Sequence, residues 1–186
     1  MRHLNVTVFG GSQPKVGDPA YIEAYQLGQL LGEMKWTVLT GGYIGTMEAV
    51  SRGVSETGGH VVGVTCEEIE RWRPVRPNQW VAEERRFPTL RQRMLALIDQ
   101  CDAALALPGG VGTLTEIMMT WNQLLTSAIQ PKPLIVIGKG WEAVLQTFLD
   151  NMGGYIPDSQ RGWITTTTSV EKAVAMLQEI AGSGKV

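Results

Sequence analysis

The feature that most narrows the fold is a rhythm. Short apolar runs rich in β-branched residues stop at glycine, and a helix-length segment follows each. Leu4 to Phe9 stops at Gly10-Gly11-Ser12, Trp36 to Thr40 at Gly41-Gly42, and Ala103 to Leu107 at Pro108-Gly109-Gly110. The last run is apolar at successive positions, which is what a strand covered on both faces requires. His60 to Val64, Leu134 to Ile137 and Gly162 to Thr166 complete the expected strands. Between them, Asp18-Pro19 supplies an N-cap and a first-turn proline for a helix whose Leu27, Leu30, Leu31 and Met34 share one face. Further helices are expected over Thr46 to Glu56, from Pro88 through Ile98, over Leu114 to Leu125, over Trp141 to Leu149 and over Thr168 to Ile180. Thr168 and Glu171 give the last one a capping-box pattern. Alternation of this kind predicts a single-domain, doubly wound, mostly parallel α/β sheet of Rossmann-like type, with helices on both faces. A chain of 186 residues is long enough to bury such a core.

Several function classes drop out on composition. A formal charge of -2 exerts no global pull on nucleic acid or an acidic membrane. Seven of the ten arginines fall between Arg71 and Arg93, but Glu67, Glu68, Glu70, Glu83 and Glu84 are interleaved with them. That makes a mixed-charge segment, and Thr65 to Arg86 is expected to be a long loop over the strand ends. Cys66 and Cys101 form no CxxC pair, and His3 and His60 lie far from any such pair, so no metal is expected. The sequence has neither a signal peptide nor an apolar stretch of membrane-spanning length, and a cytoplasmic location is expected.

Three Gly-rich turns occupy the carboxyl edge of the expected sheet, where open parallel sheets bind their ligands. They are Gly10-Gly11-Ser12, Gly41 to Thr46, and Pro108 to Thr113. Glycine leaves backbone N–H groups uncovered, and the helix that follows adds roughly half a positive charge at its first turn, so a phosphate suits such a turn. GxxxxGK[ST] is absent and Gly110-Val111-Gly112 lacks the third glycine of GxGxxG, which argues against a hydride-transferring dehydrogenase. Glu116 has two readings on pattern alone. It is either an acid in the cleft or, through Thr113-Leu114-Thr115-Glu116, the reaching member of a capping box. Arg93 is likewise either a site residue or a solvated charge on a helix face.

The run from Arg93 through Ala103-Ala104-Leu105-Ala106-Leu107 to Pro108-Gly109-Gly110-Val111-Gly112-Thr113-Leu114-Thr115-Glu116 resembles the LOG ("Lonely guy") family, similar to cytokinin riboside 5'-monophosphate phosphoribohydrolases. The family's PGGxGTxxE motif is met in full, and its arginine falls on Arg93. The likeness extends through Gly10-Gly11-Ser12, the Tyr25 to Leu31 helix, Thr40-Gly41-Gly42 with Gly45, Gly59 to Gly63, and Gln123-Leu124 with Lys132-Pro133. Where plant-type members tend to show a third glycine and a Met-Gly pair, this chain has Tyr43 and Met47-Glu48. Those departures leave the base open. They also leave room for the related molybdenum cofactor carrier proteins, and so for a noncatalytic carrier or sensor of a phosphorylated ligand.

The resemblance implies hydrolysis of the N-glycosidic bond of a purine-type nucleoside 5'-monophosphate to free base and ribose 5-phosphate, without a cofactor. It implies Glu116 and Arg93 as the catalytic pair. It assigns Gly109, Gly110, Val111, Gly112, Thr113 and Thr115 to the phosphate, with Ser12, Gly11, Gly42 and Gly45 along the nucleotide. A homodimer or higher homo-oligomer is also implied. An old family label of possible lysine decarboxylase fits poorly, since Lys15, Lys35, Lys132, Lys139, Lys172 and Lys185 all lie outside the Gly-rich loops. Met118, Met119, Trp121 and Leu125 are expected to pack in the core or a dimer contact, and Trp72, Trp80 and Asn78 become candidates for base recognition if their loop folds inward.

Overall fold

Along β5 (Ala103–Ala106), Ala103 and Leu105 turn to one layer of the core while Ala104 and Ala106 turn to the other. The same two-sided burial holds for β1 (Asn5–Phe9), β2 (Thr37–Thr40), β3 (His60–Cys66) and β6 (Leu134–Ile137). Strands of this kind need neighbours on both edges and helices on both faces. In this computed structural model, which describes residues 2–183, they join β4 (Glu83–Phe87) and β7 (Thr165–Thr167) in one seven-stranded sheet. Its order is β4-β3-β2-β1-β5-β6-β7, and every pairing is parallel.

Helices α1 (Pro19–Glu33), α2 (Thr46–Glu56) and α8 (Val170–Ser183) supply one apolar layer through residues such as Leu27, Val50 and Val174. On the other face, α4 (Leu90–Asp99), α5 (Val111–Leu125) and α6 (Lys139–Met152) contribute Leu97, Ile117, Trp121 and Leu145, and the single-turn α7 (Asp158–Arg161) follows before β7. Met118, Met119 and Leu125 pack against that second layer. The winding reverses between β1 and β5, so the doubly wound α/β expectation holds and a crevice opens beyond the carboxyl ends of those two strands.

Two local expectations fail for identifiable reasons. The segment expected as a loop from Thr65 contains α3 (Glu67–Trp72) and β4. β4 is an edge strand with the sequence Glu-Glu-Arg-Arg-Phe, and its side chains alternate between half-buried and exposed. It is held by its ladder to β3 and by Arg86 pairing with Glu70 at 2.6 Å, so no apolar run marks it. Charged edges of this sort also resist pairing with a second sheet. At the other end, Thr167 belongs to β7, and Ser169 rather than Thr168 caps α8, its hydroxyl accepting from the Lys172 N–H at 3.2 Å.

Helices α1 and α2 approach closely because glycines face each other. A Cβ on Gly28 would overlap the Val50 carbonyl, and one on Gly53 would overlap the Tyr25 carbonyl. Overpacking of that kind costs about 1–3 kcal/mol. Gly28→Ala is therefore expected to lower the unfolding free energy by that amount, read as a lower urea midpoint at unchanged slope, and an unaltered midpoint would show that the helices can spread freely.

Candidate active site

The two turns at the reversal point lean on each other. The Gly11 N–H donates to the Pro108 carbonyl at 3.2 Å, and the Leu107 N–H donates to the Phe9 carbonyl at 2.9 Å. The Gly11 carbonyl in turn accepts from the Thr46 N–H at 2.9 Å and from its hydroxyl at 3.0 Å, which ties the start of α2 to the same point. A side chain on Gly109 would overlap Thr113, so this glycine lets the turn after β5 fold back against its own helix.

Above these turns lies a cavity of about 490 Å³. One wall is the first turn of α5, from Gly110 to Thr113, with Thr115 beside it. Gly110 is the N-cap residue and no side chain caps the helix, so the N–H groups of that turn lack intrahelical partners. Gly11, Ser12 and Gln13 form a second wall, and Ile69, Trp72, Leu90 and Met94 form an apolar third. Glu116 and Arg93 also line it.

Because α5 begins at Val111, Glu116 stands past the first turn and does not reach back to cap it. Its Oε1 lies 3.7 Å from Nη1 of Arg93, with the Glu116 side chain 14% exposed and that of Arg93 7%. Burial pushes the Glu116 carboxyl up to about 7, against a smaller opposing pull from Arg93. Arg93 is not a solvated helix charge. Its Nε donates to the Val64 carbonyl at 2.8 Å, and its guanidinium lies 5.9 Å from the centre of the Tyr43 ring. Gly41 makes room for it, since a Cβ there would overlap Nη2. The Tyr43 hydroxyl accepts from the Cys66 N–H at 2.8 Å and sits 3.1 Å from both the Cys66 carbonyl and Glu70, and burial pushes it up to about 12.

The cavity thus brings together Glu116, Arg93, Gly110, Val111, Gly112, Thr113, Thr115, Gly11 and Ser12. Three expected residues lie elsewhere. Gly109 packs behind the wall, against Thr113 and Gly11. Gly42, at φ 78°, presents its carbonyl to Asn78, whose N–H donates at 2.8 Å and whose Nδ2 donates at 3.1 Å. Gly45, at φ 77°, opens onto an adjoining groove of about 340 Å³. The Thr115 hydroxyl donates to the Val111 carbonyl at 2.8 Å and keeps its acceptor side free of that bond. Of the loop candidates, Trp72 reaches the cavity, Trp80 lies under Arg52, and Asn78 is occupied with the backbone of Gly42 and Tyr43.

Arg73 and Tyr43 line the cavity without having been singled out for it. The one signal for Tyr43 was its place directly after the second Gly pair, and Arg73 was hidden in the mixed-charge segment. No lysine lines the cavity among the described residues, and Lys185 lies outside them. Among the described residues, no group of three His, Cys, Asp or Glu side chains is placed to hold a metal ion, and no helix is long and apolar enough to cross a membrane.

A family model described as the SLOG cluster4 family matches residues 3–161. The chain belongs to this family of LOG-type proteins. It is 33% identical over 184 residues to the probable cytokinin riboside 5'-monophosphate phosphoribohydrolase LOGL5 of Oryza sativa subsp. japonica, covering 96% of this chain and 73% of that protein. Against the cytokinin riboside 5'-monophosphate phosphoribohydrolase LOG7 of Arabidopsis thaliana it is 34% identical over 185 residues, 96% of this chain and 82% of that one. The molybdenum cofactor binding protein of Rippkaea orientalis shares the fold of this LOG-type chain, with a TM-score of 0.75, 22% identity, and coverage of 97% and 98% of the two chains.

The raised Glu116 carboxyl links folding to pH with a definite sign. Its folded value of about 7 lies above its ordinary 4.5, so the protonated form favours the fold. The contribution is full below the ordinary value and is lost as pH rises through about 7. The melting temperature of the native chain is expected to fall relative to that of Glu116→Gln between pH 5 and pH 8. A difference that stays constant over this range would contradict the buried-acid account.

Proposed function

We propose that this LOG-type chain hydrolyses the N-glycosidic bond of a purine-type nucleoside 5'-monophosphate. The observation that carries the proposal is that the Glu116–Arg93 pair and the uncapped first turn of α5 line one cavity. The 5'-phosphate sits at the N–H groups of Gly110 to Thr113, where the helix dipole favours negative charge, with the hydroxyls of Thr113 and Thr115 beside it. The ribose then lies toward Glu116, and the base toward Ile69, Trp72, Leu90 and Met94. As the C1'–N bond breaks, its electron pair leaves with the base and positive charge grows on the ribose ring. The Glu116 carboxylate stabilises that charge and orients the attacking water, whose oxygen bonds to C1'. The proton the water loses ends on the base, giving free base and ribose 5-phosphate. Arg93 holds the carboxylate in place by a charge-assisted contact.

The names of the curated relatives support the reaction class, and a cytokinin-type N6-substituted nucleotide is one candidate substrate beside AMP. In this reading the enzyme is a cytoplasmic homodimer whose buried thiols, Cys66 and Cys101, stay reduced. The exposed residues Val144, Phe148 and Met152, four apart on α6, supply an apolar stripe for a second copy. Light scattering that returned the mass of one chain would remove the dimer.

Purified protein given AMP or N6-substituted AMP is expected to release free base, with kcat/KM rising as pH passes upward through about 7 because the carboxylate is the working form. Glu116→Gln should lower kcat by about a hundredfold or more, the scale of a lost electrostatic stabiliser. Tight nucleotide binding with no base released from any nucleoside monophosphate would overturn the hydrolase and leave a carrier.

A further inference from the structure

Arg73 follows α3, its N–H donating to the Ile69 carbonyl at 2.8 Å to close that helix. Its guanidinium differs from the others in its surroundings. Arg2, Arg52, Arg85, Arg86, Arg93 and Arg161 each meet a carboxylate, and Arg71, Arg76 and Arg91 are exposed to water. Arg73 is half-buried, its Nε is cut off from solvent, and that Nε has no hydrogen-bond partner. The centre of the Trp72 ring lies 5.7 Å from its guanidinium carbon. A buried cationic donor left unmade is costly, and native structures rarely tolerate one without a reason.

The place of Arg73 supplies the reason. It lines both the 490 Å³ cavity and the 340 Å³ groove beside it, and Ser12 and Gln13 also border both. Two carboxylates border these spaces, Glu116 and Glu48. Glu116 is held by Arg93, and Glu48 takes the Tyr21 hydroxyl at 3.4 Å, so neither is ion-paired with Arg73. The cavity therefore presents a guanidinium with no carboxylate partner, whose Nε lacks a hydrogen bond, together with the free N–H groups of α5. An oxyanion with several acceptor oxygens satisfies both.

We propose that Arg73 is a phosphate-binding residue, which closes on the ligand's phosphate together with the first turn of α5 and makes the site select phosphorylated ligands over unphosphorylated ones. This rests on reading the cavity as a nucleotide site, but not on the hydrolysis.

The test is binding of ribose 5-phosphate, inorganic phosphate and adenosine to the full chain by calorimetry, compared across wild type, Arg73→Gln and Arg73→Lys. Arg73→Gln is expected to weaken both phosphate ligands about tenfold or more, the scale of a lost charged hydrogen bond, and to leave adenosine within about twofold. Arg73→Lys keeps the charge without the fork and should fall between. It also keeps the test decisive should the glutamine variant fold poorly. Wild-type affinity for ribose 5-phosphate in both variants would overturn the proposal, as would a wild-type chain that binds no phosphate at millimolar concentration. A chain that shows the Arg73 dependence yet releases no base from any nucleotide loses the hydrolase and keeps this residue's role. One that releases base while both variants bind phosphate normally loses only Arg73.

Discussion

A guanidinium enclosed by protein sets the geometry of everything near it. Burying a charge is tolerated when its hydrogen bonds are met and a counter-charge is close. Arg93 meets those terms through the Val64 carbonyl on β3, the Tyr43 ring after β2 and the Glu116 carboxyl on α5. Three elements are thereby fixed relative to α4, which carries the arginine. The absence of a side chain at Gly41 follows from the same demand, because any Cβ there would occupy the space of the guanidinium. A glycine pair that reads as a turn signal is thus in part a steric allowance for a residue more than fifty positions away.

The strength of that pairing decides what the acid can do. At 3.7 Å the contact is too long for a tight hydrogen-bonded ion pair, so burial outweighs it and the carboxyl titrates near neutrality. A shorter, bidentate contact would hold the acid ionised and leave it a fixed charge. An acid near 7 becomes a carboxylate only as pH rises through that value, so the form the proposed reaction uses is switched on near neutrality. The Tyr43 hydroxyl is pushed the other way from usefulness. At about 12 it keeps its proton, and it bridges Cys66 and Glu70 as a structural strut.

How much of this could be read from the residues depended on what wrote the pattern. The central strands were legible because burial on both faces leaves an uninterrupted apolar run, as in Ala103 to Ala106. β4 was not, since an edge strand is specified by backbone pairing and by charges that look like loop residues. α3 was missed for a related reason: none of its six residues is buried, so it carries no periodic apolar face. At the site, the pattern at Glu116 fitted both a cap and a cleft, and the family motif favoured the cleft before the helix start at Val111 separated the two. Arg93 shows that an arginine among other charges can be a core residue, which spacing does not reveal. Arg73 owes its position to a loop clamped by Asn78 onto the carbonyls of Gly42 and Tyr43, a long-range tie with no local signature.

The same cradle serves a carrier as readily as an enzyme, because uncapped N–H groups at a reversal point grip any phosphate. A hydrolase needs in addition an acid whose distance from the phosphate matches the sugar between them. Here one helix sets that distance. Glu116 follows the Gly110 to Thr113 turn by about one helical turn, a rise of roughly 5 Å, which is the scale of the span from a 5'-phosphate to C1' of the same ribose. In the proposed reaction, phosphate grip and charge stabilisation are coupled through a rigid element rather than through a loop. For the proposed hydrolase, moving the acid one residue along α5 would rotate it by about 100° away from the ring, leaving a cradle that could still hold a phosphate but with no acid beside the bond to be broken.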